Sequence, residues 1–158
     1  MALSMRLGLL AVIVGSSLAA CGNAAQAPAV RQVVSTTSFG MCAGYCATRL
    51  EISEGQAILT RTNHGGRGGK GLPDQQFRAV LEANEWQEIE RLANTTKLDG
   101  LPAVIGCPDC ADGGAESLTI VRPDGAQTIS FDYGADIAQA QPLLERVRAL
   151  RARMTPKP

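Results

Sequence analysis

The fold is decided by the stretch Ser117-Leu-Thr-Ile-Val-Arg-Pro-Asp-Gly-Ala-Gln-Thr-Ile-Ser-Phe-Asp-Tyr133. Apolar and polar residues alternate from Leu118 to Ile120, and they alternate again from Ile129 to Tyr133. A period of two is typical of strands with one buried face. Between the two runs, Pro123-Asp124-Gly125 is a turn triplet. The stretch therefore predicts a β-hairpin.

A second hairpin is predicted nearer the N-terminus. Leu50 and Ile52 alternate with polar residues, Glu54-Gly55 is a tight connection, and residues 57–62 return as the partner strand. Residues 30–37 are β-branched and rich in Thr, which indicates a first strand. We therefore expect an antiparallel sheet of about five strands, formed by two hairpins and an N-terminal strand.

Two short helices are expected between the hairpins. Leu72-Pro73-Asp74 is expected to begin the first, with Asp74 as its N-cap, and Asn84 is able to cap the second. The apolar residues at helical spacing are Phe77, Val80 and Leu81 in the first helix, and Trp86, Ile89 and Leu92 in the second.

A longer helix is expected over residues 137–154. Pro142 is compatible with it only in the first turn, so the regular part is expected to begin near that residue. Glycines and prolines are expected to keep residues 101–114 out of regular structure. The predicted class is α+β, with the sheet packed by two short helices and a C-terminal helix. The apolar side of the last helix consists of Leu143, Leu144, Val147 and Leu150.

Residues 1–20 are predicted to be a signal peptide. Arg6 gives a basic start, and the apolar run 7–18 has the length of an export signal and is too short to span a membrane. The ending Leu18-Ala19-Ala20-Cys21 resembles the lipobox of bacterial lipoproteins. That resemblance implies cleavage before Cys21, a diacylglyceryl group on its sulfur and an acyl chain on the new amino group.

The lipobox also implies an address. Gly22 stands where many inner-membrane lipoproteins carry Asp, so the resemblance favours the outer membrane over the inner one, with the protein facing the periplasm. Residues 21–29 are small, polar and without periodicity, and we expect a flexible tether there. Residues 30–158 are then a single domain.

The charge balance excludes one class of partner. Removal of the signal takes away Arg6 and no acidic residue, so the mature chain is close to neutral. Nucleic-acid binding needs a concentrated basic face, and only 4% of the residues are aromatic, which also leaves little for base stacking. No nucleic-acid partner is expected; the expected partners are the membrane, through the lipid anchor, and another envelope protein.

A further resemblance is to an uncharacterised bacterial envelope domain with the signature Cys-Phe-Gly-x-Cys-Pro-x-Tyr. It is carried by residues 38–45, Ser-Phe-Gly-Met-Cys-Ala-Gly-Tyr, and the order of elements continues similarly to residue 154, with Trp86, Tyr133 and Gly134 in corresponding places. A subset pairs residues 40–46 with a second motif like that of residues 106–114. The resemblance implies a fold and an envelope location but no reaction.

This chain departs from the family signature at two positions. Ser38 stands in place of the first Cys, and Ala43 in place of Pro. The family's usual thiol pair therefore cannot form, and Cys46 is the alternative thiol.

The mature domain contains four cysteines besides Cys21: Cys42, Cys46, Cys107 and Cys110. An even number of cysteines in an oxidising compartment favours structural disulfides. Three connectivities are possible, and the sequence leaves all of them open. Bonds between the two motifs would close long loops worth about 4 kcal/mol, against about 2 kcal/mol for bonds within a motif, which mildly favours the long loops.

The sequence allows two other uses of the cysteines. Cys107-Pro-Asp-Cys110 could serve a periplasmic thiol–disulfide oxidoreductase, but no helical pattern follows it and Asp109 opposes a thiolate. A zinc site of four thiolates fits the spacing but must survive oxidation. We predict no catalytic residue, no metal and no cofactor.

Other candidate residues have simpler explanations. His64, the only histidine, lies in a glycine-rich loop with nothing to fix its ring for catalysis. Asp109, Asp112 and Glu116 could surround calcium, but their spacing fits no calcium loop, and turn hydrogen bonds are favoured. Four arginines of the last helix could contact anionic lipid, although a solvated face is favoured; they are Arg146, Arg148, Arg151 and Arg153.

Together these features predict a non-enzymatic, lipid-anchored cell-envelope protein. Its disulfide-braced domain would have a binding or structural role. The alternative is the thiol–disulfide oxidoreductase centred on Cys107 and Cys110.

Overall fold

Among the residues that the structure describes, one sheet of seven strands and two α-helices form the fold. The computed structural model describes residues 29–63 and 71–157. Neither helix in this part of the chain is long and apolar enough to cross a membrane. The elements are β1 (Gln32–Ser38), β2 (Ala47–Ser53), β3 (Gln56–Thr62), β4 (Gln75–Val80), α1 (Ala83–Thr95), β5 (Val104–Ile105), β6 (Ala115–Arg122), β7 (Gly125–Asp132) and α2 (Gln141–Met154).

The sheet has the strand order β4-β3-β2-β1-β6-β7-β5. Every neighbouring pair is antiparallel except β5 and β7, which are parallel. The α+β class, both hairpins and the N-terminal strand are confirmed. The sheet is larger than the expected five strands and is mixed, because β4 and β5 extend its two edges.

The first predicted short helix is wrong, since those residues form β4. Phe77 pairs with Leu59 of β3 and points to the core, whereas Val80 is 80% exposed, so the two cannot share one apolar face. Inward residues recur at every second position, and pairing with β3 provides the backbone hydrogen bonds of a segment that is too short to be stable as an isolated helix. Asp74 precedes a strand and caps no helix.

The second short helix is confirmed as α1, with Trp86 and Ile89 buried. Its predicted cap is wrong. The N-cap position is Glu82, which makes no side-chain cap bond, and Asn84 lies inside the first turn, where its Oδ1 accepts a 2.9 Å hydrogen bond from the Glu85 amide.

Residues 101–114 contain more regular structure than expected. Val104 and Ile105 pair with Ser130 and Phe131 of β7, and residues 110–112 form one short 3₁₀ turn. Ser130 also donates its amide to the Ala103 carbonyl at 2.9 Å. The edge of β7 offers backbone hydrogen-bond partners to this segment. The glycines and prolines of the segment limit the pairing to two residues.

Both helices pack on one face of the sheet. The last helix begins at Gln141 with Pro142 in its first turn, as predicted. Within the part of the chain that the structure describes, the opposite face carries hydroxyl pairs such as Thr36–Ser117 at 2.6 Å. The buried side chains include Val33, Leu50, Ile52, Leu59, Leu118, Ile120, Ile129 and Phe131 from the strands and Trp86, Ile89, Leu143, Leu144, Val147 and Leu150 from the helices.

The strands give the domain two opposite ends. At one, which we call the tether end, Arg31 donates its amide to Val121 at 2.8 Å and Leu81 donates to Gly55 at 3.1 Å. At the other, which we call the cysteine end, lie the loops of residues 39–46 and 106–114. The chain therefore enters the sheet at the end remote from its cysteines.

Candidate functional site

The two cysteine motifs lie side by side at the cysteine end. The Gly40 amide donates to Asp109 Oδ1 at 3.2 Å. Gly114 lies so close to the Phe39 ring that a Cβ there would overlap it, and its φ of 84° also favours glycine. Antiparallel pairing of β1 with both β2 and β6 brings the two loops together, although they are separated by about sixty residues in sequence.

Each motif pairs its own cysteines. Cys42 and Cys46 lie at disulfide distance with 5.5 Å between their Cα atoms, and Cys107 and Cys110 do so at 5.4 Å. The preference for bonds between the motifs is therefore wrong. The first loop returns on itself, since Phe39 donates to the Cys46 carbonyl at 3.0 Å, and the second closes through a 2.9 Å bond from Cys110 to Cys107. Native loop geometry decides the pairing, and chain entropy does not.

Carboxylates surround the second pair. The Cys107 amide donates to Asp132 Oδ1 at 3.2 Å. Asp109 and Asp112 adopt left-handed backbone angles, with φ of 63° and 58°. Cys107 and Cys110 are exposed, and only a three-residue 3₁₀ turn begins at Cys110. Negative charge and the lack of a helix N-terminus at Cys107 both disfavour a reactive thiolate.

The acidic residues of this region do not gather. Asp109 contacts Gly40, whereas Glu116 is turned into the core, so the calcium arrangement is not formed. Within residues 29–63 and 71–157, no three His, Cys, Asp or Glu side chains could hold a metal ion together.

Apolar side chains are exposed at the cysteine end. Tyr133 packs edge-on against Phe39, with 4.8 Å between ring centroids, and donates its amide to the Gly114 carbonyl at 3.1 Å. In the described part of the chain, four of the five large exposed apolar residues lie on this end, and only Val80 lies at the other. The four are Met41, Leu72, Val104 and Tyr133.

A buried charge cluster was missed by the sequence reasoning. Glu116 is fully buried and accepts from Arg148 Nη2 at 2.8 Å and from Arg151 Nη1 at 3.1 Å. Arg151 also donates to the hydroxyl of Ser35. A signal was present: Glu116 has the same strand parity as Leu118, which places its side chain on the inward face.

The predicted solvated arginine face is wrong for Arg151, which is buried, whereas Arg153 is 52% exposed, as a solvated face predicts. Arg146 and Arg153 both bind Glu85, at 3.0 and 2.8 Å, and Arg146 also binds Glu88 at 3.0 Å. The hydrogen bond from Arg153 lowers the pKa of Glu85, and Arg146 adds to this effect, while partial desolvation opposes it. The guanidinium groups hold α2 on the sheet and on α1.

The predicted signal peptide, the predicted lipid attachment site Cys21 and His64 lie outside the described residues. No family model matches the chain. No curated protein matches it either.

Proposed function

We propose that this is a non-enzymatic, lipid-anchored protein of the bacterial cell envelope. Its disulfide-braced domain binds another envelope component through the cysteine end. One observation carries the proposal: the residues that follow the predicted tether enter the sheet at the end opposite the cysteine loops.

This geometry suits presentation away from a membrane. A strand of seven residues, such as β1, spans roughly 23 Å. A lipid on Cys21 would hold the tether end towards the bilayer, and the cysteine end would then face outward. The exposed apolar side chains at that end are of the kind that mark protein interaction sites.

The chemistry of the cysteine end supports a binding role over catalysis. Its cysteines are paired locally, its aspartates accept backbone hydrogen bonds, and its aromatic rings contact each other. Such contacts brace loops, and the described residues offer no acid–base pair beside a nucleophile here.

Intact-mass spectrometry of the protein purified from its native membrane tests the anchor. The expected mass is that of a chain starting at acylated Cys21, with a gain on reduction and alkylation that corresponds to four cysteines. Cys21→Ser should abolish acylation, whereas the control Cys42→Ser/Cys46→Ser should keep it. A water-soluble chain that starts at Met1 with four free thiols would contradict the proposal.

Site-specific photo-crosslinking in cells tests the binding surface. Met41 and Val80 are exposed to similar degrees, 76% and 80%, but lie at opposite ends. A photoreactive residue at position 41 should give a discrete adduct, and the same residue at position 80 should give none. Equal adducts, or adducts from position 80 alone, would contradict a cysteine-end interface.

The oxidoreductase remains the second candidate, because Cys107 and Cys110 are both exposed. A disulfide-reduction assay with a dithiol donor separates the two. Activity lost in Cys107→Ser/Cys110→Ser and kept in Cys42→Ser/Cys46→Ser would favour the enzyme. No turnover above background would leave the binding function.

A further inference from the structure

A cavity lies beside the buried charge cluster. Its volume is about 580 Å³, and it is open to solvent between the end of α2 and the turn after β7. Lys157 and Pro156 stand at its rim. Its walls include Glu116, Tyr133, Gly134, Arg148, Arg151 and Ala152.

The charges around this cavity do not balance. Two guanidinium groups share the single carboxylate of Glu116, and Lys157 adds a further positive charge at the rim. This excess among the described lining residues is partly in contact with solvent, since the Arg148 side chain is 24% exposed and Lys157 is exposed, and it attracts anions. The cavity therefore has the electrostatic character of an anion site.

One donor facing this cluster has no partner. Arg151 is only 9% exposed, and its Nε is buried without a hydrogen-bond acceptor among the described residues. Its other two nitrogens are used by Glu116 and Ser35. A buried N–H without a partner is unfavourable, so the positive charge of Arg151 beside the cavity is incompletely compensated.

We propose that the cavity binds a small organic carboxylate with an apolar body. The carboxylate oxygens would accept from Arg148, whose side chain is 24% exposed, and would be drawn by the positive charges of Arg151 and Lys157, since guanidinium groups match carboxylates in shape. The half-exposed ring of Tyr133, held by Phe39, and Pro156 supply an apolar wall for the body. This inference is independent of the lipid anchor, and the cavity shares Tyr133 with the exposed apolar residues of the cysteine end.

Isothermal titration calorimetry with phenylacetate, acetate and inorganic phosphate as probes tests the site. Phenylacetate should bind saturably, and acetate at least about tenfold more weakly because it lacks an apolar body. Phosphate that binds more tightly than phenylacetate would overturn the organic carboxylate as ligand, and so would an absence of saturable phenylacetate binding.

Matched variants locate the site. Lys157→Ala should weaken phenylacetate binding about threefold to fivefold, whereas Lys97→Ala, an exposed lysine that does not line this cavity, should leave it unchanged. Equal effects of the two lysines would overturn the assignment.

Glu116→Gln removes the carboxylate charge that competes with the ligand for the two arginines. Phenylacetate should therefore bind more tightly, by about fivefold or more. Unchanged or weaker binding in a folded Glu116→Gln protein would overturn the proposal. If that variant does not fold, Arg148→Lys is used instead, because it keeps the positive charge and loses the planar guanidinium that can donate two hydrogen bonds to one carboxylate. It should weaken phenylacetate binding, and unchanged affinity would count against the site.

Discussion

Helix α2 carries two pairs of arginines that meet acidic partners in different surroundings. Arg148 and Arg151 reach the fully buried Glu116 beneath the helix, whereas Arg146 and Arg153 reach Glu85 beside it, between α1 and α2. The distances are alike, from 2.8 to 3.1 Å in both clusters. The difference is that solvent reaches one carboxylate and not the other.

The contribution of an ion pair to the free energy of unfolding is therefore not determined by its contact distances alone. In the exposed cluster, water can replace a lost partner, so each pair adds little to stability. In the buried cluster, a lost partner leaves a charge that water cannot reach. Four similar arginines on one helix should therefore give very different responses to substitution.

The largest effect is expected from Glu116→Ala, which leaves two guanidinium groups without their carboxylate. The free energy of unfolding should fall by about 3–5 kcal/mol. Urea unfolding monitored by the fluorescence of Trp86 measures it. The control Glu88→Ala removes an exposed partner of Arg146 and should change stability by less than about 1 kcal/mol. Similar losses in the two variants would erase the contrast between the clusters.

A smaller difference in stability is expected between the variants Arg148→Ala and Arg146→Ala. Arg148→Ala removes charged hydrogen bonds to Glu116 and the 2.8 Å bond to the Ala135 carbonyl, and should cost about 1.5–3 kcal/mol. Arg146→Ala should cost less than about 1 kcal/mol. Both are measured by urea unfolding under the same conditions. An Arg146 variant that is less stable than the Arg148 variant would reverse the comparison.

Replacing the whole buried cluster should cost less than breaking it. In the triple variant Glu116→Leu/Arg148→Met/Arg151→Met no unpaired charge remains, so its unfolding free energy should lie within about 1 kcal/mol of the wild type. The unfolding free energy of the triple variant should therefore exceed that of Glu116→Ala. A triple variant as unstable as Glu116→Ala would mean that the polar network, and not its unpaired charge, provides the stability.

The smallest effect concerns pH. Because its arginines lower the pKa of Glu85, the folded state holds this proton less tightly than the unfolded state. The stabilisation by Glu85 is therefore present above its usual pKa of about 4.3 and is lost as the pH falls through the folded value. Glu85→Gln should lower stability by less than about 1 kcal/mol at pH 7, and the difference from wild type should vanish in acid. A difference that grows with acidity would contradict this sign.

Most of the correct fold prediction came from the periodic pattern of apolar and polar residues. Both hairpins, β1 and the amphipathic α2 could be predicted because each is long enough for its period to repeat. β4 could not, since Phe77, Val80 and Leu81 also fit a helical spacing and only the free edge of β3 decides between the two. β5 could not, because two residues carry no period and their pairing depends on β7.

The site was predicted only in part. The cysteines were identified, but their pairing depends on loop shapes that are set by the register of β1 with β2 and β6. Turn hydrogen bonds were predicted for Glu116, in preference to calcium, and a solvated face for Arg151, because charged residues are usually exposed. Their parity with neighbouring core residues on β6 and α2 was the signal that could have revealed them.

Consecutive pairing of the cysteines has a consequence for the order of oxidation. Cys42 meets Cys46, and Cys107 meets Cys110, with no other cysteine between the members of a pair. If the chain is exported N-terminus first with Cys21 acylated, as proposed, exchange with a disulfide-bonded oxidant, which is itself reduced to a dithiol, can join each remaining thiol to the next one to emerge. Native disulfides would then form in order, without shuffling of mispaired intermediates before the sheet closes.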